Sequence, residues 1–306
     1  MLASAFSFKF IILYIYIISA AYTQFRGKVR LKFMRQLINH STLMAPINAL
    51  MYLFSAVPNK PYYEVKDFPE LTVLADNWQI IRVEAENLVK AGYIKASDNN
   101  DDMGFNSFFK RGWKRFYLKW YEDFLPSAKA LCPDTVKLLK DIPGINGVMF
   151  TLLPKGGQLK PHRDPYAGSL RYHLGLVTPN SEKCRIYVDG IAYHWRDGEA
   201  VMFDETYIHA AKNETDMDRI ILFCDIERPM RNRVATWINR FFCRYILSES
   251  ATQNLASDRV GALNRIYKYY YHLSAYVLRL KKANKLAYQV LQYAGIAGLV
   301  YWVFIR

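Results

Sequence analysis

An apolar run at residues 10–25, followed at once by Arg26, Lys28, Arg30, Lys32 and Arg35, limits what this chain of 306 residues can fold into. The run extends back to Leu2 with only Lys9 interrupting it. That is enough for a helix across the hydrocarbon core of a bilayer, which takes about 20 residues. Basic residues on its far side put that side in the cytoplasm. An export signal carries its basic residues first, so the charge order argues against one, although Ser19, Ala20 and Ala21 are small. A second run, 286–305, follows Lys281, Lys282 and Lys285. The pair predicts membrane-spanning helices in 1–25 and 286–306, with both termini outside and the rest inside. A buried core helix is the alternative for the second run.

Charge supports this division. The net charge is +14, but residues 1–35 hold six Lys/Arg and no acid, and residues 229–306 hold twelve against Glu249 and Asp258. The middle is close to neutral. Basic flanks on a neutral core fit anionic membrane lipids and not nucleic acid. The four cysteines, Cys132, Cys184, Cys224 and Cys243, are widely spaced, which speaks against a zinc ribbon or disulfide framework.

Three further segments organise the chain. Residues 26–65 read as a basic, membrane-proximal stretch, with 43–57 at the interface. Residues 66–230 read as one domain. It opens with helix-like segments near 70–91 and 126–140, and strands follow at 147–153, 171–178, 184–188, 200–203 and 219–226. Turn signals at 154–157, 179–180, 189–190 and 197–198 separate those strands. Short strands at this spacing predict a mainly β core, a sandwich or jelly roll, with flanking helices. Residues 231–285 read as basic amphipathic helices at a membrane surface. In 232–247, Val234, Trp237, Ile238, Phe241, Phe242, Tyr245 and Ile246 recur at helical spacing, with Arg233, Arg240 and Arg244 between them. Packing of that helix on the soluble domain is an equal alternative.

The candidate chemistry lies in the strand region. Read as a strand, His162 and Asp164 point to one face and Arg163 to the other. His209 follows a strand and a turn and can arrive alongside. Two imidazoles and one carboxylate form a facial triad with open positions, the ligand set of non-haem Fe(II) oxygenases; zinc remains the rival metal. A 2-oxoacid can fill two open positions, and O2 a third. Its far carboxylate then needs a cation, and Arg219, at the head of an apolar strand, suits that task. Arg171 and His173 share a face of another strand and can line the same cavity. The plain alternatives are a turn histidine bonded to Asp164, and an Arg219 paired with Asp216 or Asp218. His40, His194 and His272 lack such context and read as surface residues. A basic cluster, Lys110, Arg111, Lys114, Arg115 and Lys119, alternates with Trp113, Phe116, Tyr117 and Trp120 and can hold lipid phosphates. Its plain reading is a solvated helix face with a buried aromatic stripe.

At GQLKPHRDP, RYHLGLVTP, FDETYIH and RIILFCDIERP the chain resembles the aspartyl/asparaginyl β-hydroxylases, which use Fe(II), 2-oxoglutarate and O2. The resemblance implies a double-stranded β-helix fold. It also implies iron at His162 and His209, 2-oxoglutarate at Arg171 and His173, and a distal carboxylate clamp at Arg219 assisted by Thr151. Asp164 stands where the vertebrate protein hydroxylases of the family have glycine, so this chain can complete the carboxylate triad. FRGKVRLKF, FSAVPNKPY, DNWQIIR, GYIKASD and GFNSFFKRGWKRFYLKWY are similar to a bacterial inner-membrane group of the family. That group hydroxylates C-2 of a secondary acyl chain of lipid A or its precursor. The resemblance thus implies an inner-membrane enzyme with a cytoplasmic catalytic domain and periplasmic termini. A protein β-hydroxylase, a non-catalytic lipid-binding jelly roll and a zinc hydrolase are the rival readings.

Overall fold

Among the described residues, ten strands form two antiparallel sheets that face each other. The computed structural model describes residues 8–97 and 102–304, and residues 2–7 of the first apolar run and Ile305 of the last lie outside it. The strands are β1 (Tyr62–Tyr63), β2 (Lys114–Trp120), β3 (Ile145–Leu153), β4 (Gln158–His162), β5 (Ser169–Val177), β6 (Cys184–Val188), β7 (Ile191–His194), β8 (Ala200–Phe203), β9 (His209–Asn213) and β10 (Arg219–Glu227). The larger sheet runs β1-β8-β5-β10-β3-β2 and the smaller β4-β9-β6-β7. This is the double-sheet arrangement of a jelly roll. The five predicted strands are present within two residues at each end.

Residue pattern explains which strands are covered. Along β9 and β6, buried and half-exposed residues alternate, as expected for a sheet with one wet face. Strands β5 and β10 are buried on both faces for eight of nine residues. Their outward side chains, such as Tyr172, Leu174, Ile220 and Leu222, lie in one core with Ile81, Ala85 and Leu88. Those three come from a helix, Trp78–Lys90, that covers the sheet. The inward side chains of β10 are Arg219, Ile221, Phe223 and Asp225. Two ionisable groups on an inward face of an otherwise apolar strand mark a site. All four cysteines are buried and free, and burial pushes their thiols up.

The N-terminal region packs as helices α1 (Phe8–Phe25), α2 (Phe33–Leu37), α3 (His40–Leu43) and α4 (Ala45–Leu53). Among the described residues only α1 is long and apolar enough to cross a membrane. It is not a core helix: Ile11, Ile12, Ile15, Ile17 and Ile18 are all exposed. The second predicted span also folds as a helix, Lys285–Phe304, but Gln289, Gln292 and its tyrosines dilute its apolar character. Helix α5 (Arg233–Phe242) docks through an apolar contact, in which Phe242 stacks on Tyr166 with ring centroids 4.6 Å apart, and through a polar one. Asn239 is fully buried; its Nδ2 donates to Gly168 O (2.9 Å) and its Oδ1 accepts from Tyr166 Oη (2.6 Å). Its other face exposes Val234, Trp237 and Phe241, and Tyr245 in the following turn continues the stripe. The amphipathic helix therefore keeps much of its apolar stripe free while packing on the domain.

Two expectations need correction. The segment 26–65 does not stand apart from the domain that follows it. Arg26 is buried, with Nη2 donating to Asp204 Oδ2 and Nη1 to Thr206 Oγ1, each at 2.6 Å. Asp204 also accepts from Arg228 at 2.7 Å, and β1 pairs with β8. The basic cluster is likewise not a helix face, since Lys114, Arg115 and Lys119 lie on β2. Arg115 is buried against Asp102, with Nε to Oδ2 at 3.1 Å, and so cannot hold a lipid phosphate. Lys119 is half-buried over the Phe124 ring. Lys110, Arg111 and Lys114 remain accessible.

Candidate active site

The cleft between the two sheets gathers every residue predicted for the metal and the 2-oxoacid. His162 ends β4 and His209 begins β9, and the two are directly paired in register. Asp164 reaches them by a different route from the one expected. It lies beyond the end of β4, in a loop whose backbone N donates to Glu205 O at 3.0 Å. Its Oδ1 sits 3.6 Å from His162 Nε2 and 3.8 Å from His209 Nε2. One ligand atom from each of the three residues lies within 4.8 Å of the others.

The tautomers follow from the second ring nitrogens. His162 Nδ1 is 2.7 Å from Lys160 O, and His209 Nδ1 is 3.0 Å from Tyr207 O. A carbonyl only accepts, so each Nδ1 carries the hydrogen and each Nε2 presents a lone pair to Asp164. This orientation by an outer carbonyl is typical of metal-binding histidine. Burial, and then the charge of His209, push His162 down to about 3; burial also lowers His209. Burial alone would lift the Asp164 carboxyl, but Arg171 and the two imidazoles bring it down to about 2. At neutral pH the three groups are two neutral imidazoles and one carboxylate, which fits a divalent ion at bond lengths of about 2 Å.

Behind Asp164 lies a charge cluster that sequence reasoning missed. Arg171 donates through Nη2 to Asp164 Oδ2 (2.8 Å) and through Nε to Asp225 Oδ1 (2.7 Å), and it also pairs with Glu205. Its guanidinium stacks 3.6 Å from the Phe223 ring centroid. Arg171 lines the cleft as expected, but three carboxylates already occupy it. Burial lifts Glu205 and Asp225 while Asp164 is depressed, so the negative charge is concentrated at the metal side. The signal for Asp225 was present: counting by twos along β10 from Arg219 reaches it on the inward face.

Arg219 is the opposite case. It is buried and has no ion pair or hydrogen bond among the described residues. Its guanidinium lies 4.3 Å from the ring centroid of Trp195, another cleft residue that sequence reasoning did not single out. Burial depresses its pKa to about 10. His173 is also buried, and neither ring nitrogen has a partner. Thr151 lines the same inner end. An unpaired buried cation beside an unpaired imidazole is costly unless an anion joins them. The donor set therefore fits a small dicarboxylate. The outer wall is apolar: Phe105, Phe108, Trp113 and Leu159, with the Phe108 ring edge-on to His162 at 4.9 Å. His194 stays outside the cleft on β7, as read, whereas exposed His40 bonds Arg163 O.

These shifts carry a stability consequence. His162, His173 and His209 all have folded-state pKa values below the ordinary 6.5, with burial the first cause. Below about pH 6.5 the unfolded chain takes up protons that the folded, metal-free chain refuses, so stability falls as pH drops. Each imidazole contributes at most about 1.4 kcal/mol per pH unit. Denaturant melts of the metal-free protein are expected to show a clear loss between pH 7.5 and 5.5. A flat profile contradicts the buried, neutral imidazoles.

The fold and the three-donor cluster define a jelly-roll protein with a candidate metal centre, and the comparisons specify the family. The family model described as aspartyl/asparaginyl beta-hydroxylase matches residues 75–229. The ornithine lipid ester-linked acyl 2-hydroxylase of Rhizobium tropici is 32% identical over 201 residues, covering 64% of this chain and 71% of that protein. Human aspartate beta-hydroxylase domain-containing protein 2 is 29% identical over 190 residues, covering 58% of this chain and 50% of that protein. A Pseudomonas putida prolyl-4-hydroxylase structure superposes with a TM-score of 0.33 at 16% identity, covering 50% of this chain and 87% of that one, too slight a likeness to argue from. The chain belongs to the aspartyl/asparaginyl β-hydroxylase family.

Proposed function

We propose that this protein is an Fe(II)- and 2-oxoglutarate-dependent dioxygenase that hydroxylates C-2 of a secondary acyl chain of lipid A at the bacterial inner membrane. The observation that carries the reading is a pair of incomplete sites in one cleft: three oriented metal donors at one end and the unpaired, buried Arg219 at the other. Bound there, iron and 2-oxoglutarate supply the oxidising chemistry that inserts one atom of O2 into a C–H bond, with succinate and CO2 as co-products. The chain's part is to hold and exclude. His162, Asp164 and His209 hold the metal; Arg219, with Thr151, takes the far carboxylate of the co-substrate, and His173 contacts it beside them. Phe105, Phe108 and Trp113 keep water from the reacting carbon and offer an acyl chain an apolar wall.

A lipid substrate is supported by the R. tropici relative, named for acyl 2-hydroxylation of an ornithine lipid, and by the apolar surface around α1. Phe33, Met34, Ile38 and the outer stripe of α5 are exposed, and Lys28, Arg30, Lys32 and Arg35 are exposed beside them. Those cations suit anionic lipids on the cytoplasmic side of α1, which gives the catalytic domain a cytoplasmic location and α1 a periplasmic start. In this topology the C-terminal helix recrosses the bilayer. Lys110, Arg111 and Lys114, next to the aromatic wall, suit the phosphates of lipid A.

Mass spectrometry of lipids from cells with and without the protein tests the reading. The expected result is one added oxygen on a secondary acyl chain of lipid A. The added oxygen on ornithine lipid instead relocates the substrate. Unchanged lipids with hydroxylated Asp or Asn in a protein overturn the lipid assignment.

A further inference from the structure

The loop that carries Asp164 is held in place mainly by residues outside the sheets. Arg35 Nη2 donates to Pro161 O at 3.4 Å, and His40 Nε2 donates to Arg163 O at 2.6 Å. Asn48 clamps the next turn, donating to Pro165 O at 2.8 Å and accepting from Ala167 N at 2.9 Å. The traffic also runs the other way. Arg163, between the two ligands, turns away from the cleft and donates to Thr23 O (2.6 Å) and Arg26 O (3.3 Å). It is 1% exposed and makes no ion pair among the described residues. Its charge is met by the carbonyls at the C-terminal end of α1, where the helix dipole is negative. The loop is therefore tied at successive residues to the end of α1 and to α2–α4.

The geometry points to the end of α1 and the segment through Asn48 as the outer shell of the metal centre, with Arg163 and Asn48 as positioning residues that fix Asp164 against the two histidines. These residues touch no reacting atom; they act through the loop backbone. The inference rests on His162, Asp164 and His209 holding a metal, and it makes the membrane-proximal segment a part of the active site rather than an anchor joined to it.

The test uses the full chain in lipid nanodiscs, titrated with Co(II) and followed by calorimetry and by the Co(II) absorption spectrum. Asn48→Leu and Arg163→Ala are expected to weaken Co(II) binding by roughly 10–100-fold, the range for outer partners of metal ligands, and to alter the spectrum. Arg163→Lys, which keeps a charged donor, restores part of the loss. His40→Ala removes an exposed side chain with no other bond among the described residues; it is expected to weaken binding by a smaller factor with the fold intact. That variant decides the matter if Arg163→Ala does not fold. Wild-type affinity and spectrum in both Asn48→Leu and His40→Ala overturn the inference. Failure of the wild-type protein to bind Co(II) overturns the metal reading beneath it.

Discussion

His209→Ala is expected to abolish turnover and to weaken divalent metal binding beyond the roughly 10–100-fold that outer partners are worth. Its Nε2 is one of three donors in the cluster, and no fourth His, Asp, Glu or Cys joins that group among the described residues. Loss of the imidazole leaves two donors and an ion with no facial geometry. The fold should survive, because the β4–β9 pairing at this position is made by backbone. The one side-chain bond lost, to Tyr207 O, is worth about 1 kcal/mol. His162→Ala should match it. The measurements are Co(II) titration and substrate-stimulated succinate release, beside a circular dichroism spectrum. Undiminished succinate release from either variant removes these residues from the metal site.

Arg219→Leu is expected to give two effects of opposite sign. Removing one partner of a buried charge pair costs about 3 kcal/mol, so the KM for 2-oxoglutarate should rise on the order of a hundredfold. Without co-substrate, however, the buried cation has no partner and burial disfavours its charge. An apolar side chain beside Trp195 needs no partner and, although shorter than arginine, should leave the ligand-free protein more stable by about 1 kcal/mol, the low end for buried charges replaced by apolar groups. Added 2-oxoglutarate should stabilise the wild-type protein and do little for the variant. Denaturant melts with and without 2-oxoglutarate, together with the KM, separate this from a structural role. An unchanged KM, or a variant less stable than the wild type, contradicts the clamp.

What the sequence revealed and what it hid follow from the range of the forces involved. Strand periodicity is local, so β3, β5, β6, β8 and β10 could be read directly. The i, i+2 rule placed Arg171 with His173, and residue type placed the triad. Strand β2 was not legible, because its KRFYLKW run mixes cations and aromatics at a spacing that also suits a helix. Only Asp102, brought in from an earlier loop, lets Arg115 point inward. Likewise, the free state of Arg219 and the engaged state of Arg171 look identical in sequence. They differ because Asp225 and Glu205 arrive beside one arginine from distant positions, and no carboxylate among the described residues arrives beside the other. Asp164 reached the right neighbours for a reason the strand rule did not contain, since the loop that carries it is set by contacts with residues 23–48.

The burial of all four thiols has a practical consequence. None of Cys132, Cys184, Cys224 and Cys243 presents a reactive thiolate at the surface, because burial holds each one protonated. The natural chain is thus a silent background for thiol-directed labels. A single reporter such as Trp237→Cys on the outer stripe of α5 would carry the whole signal, and an environment-sensitive dye there would read the depth of that helix in a bilayer without any native cysteine having to be removed.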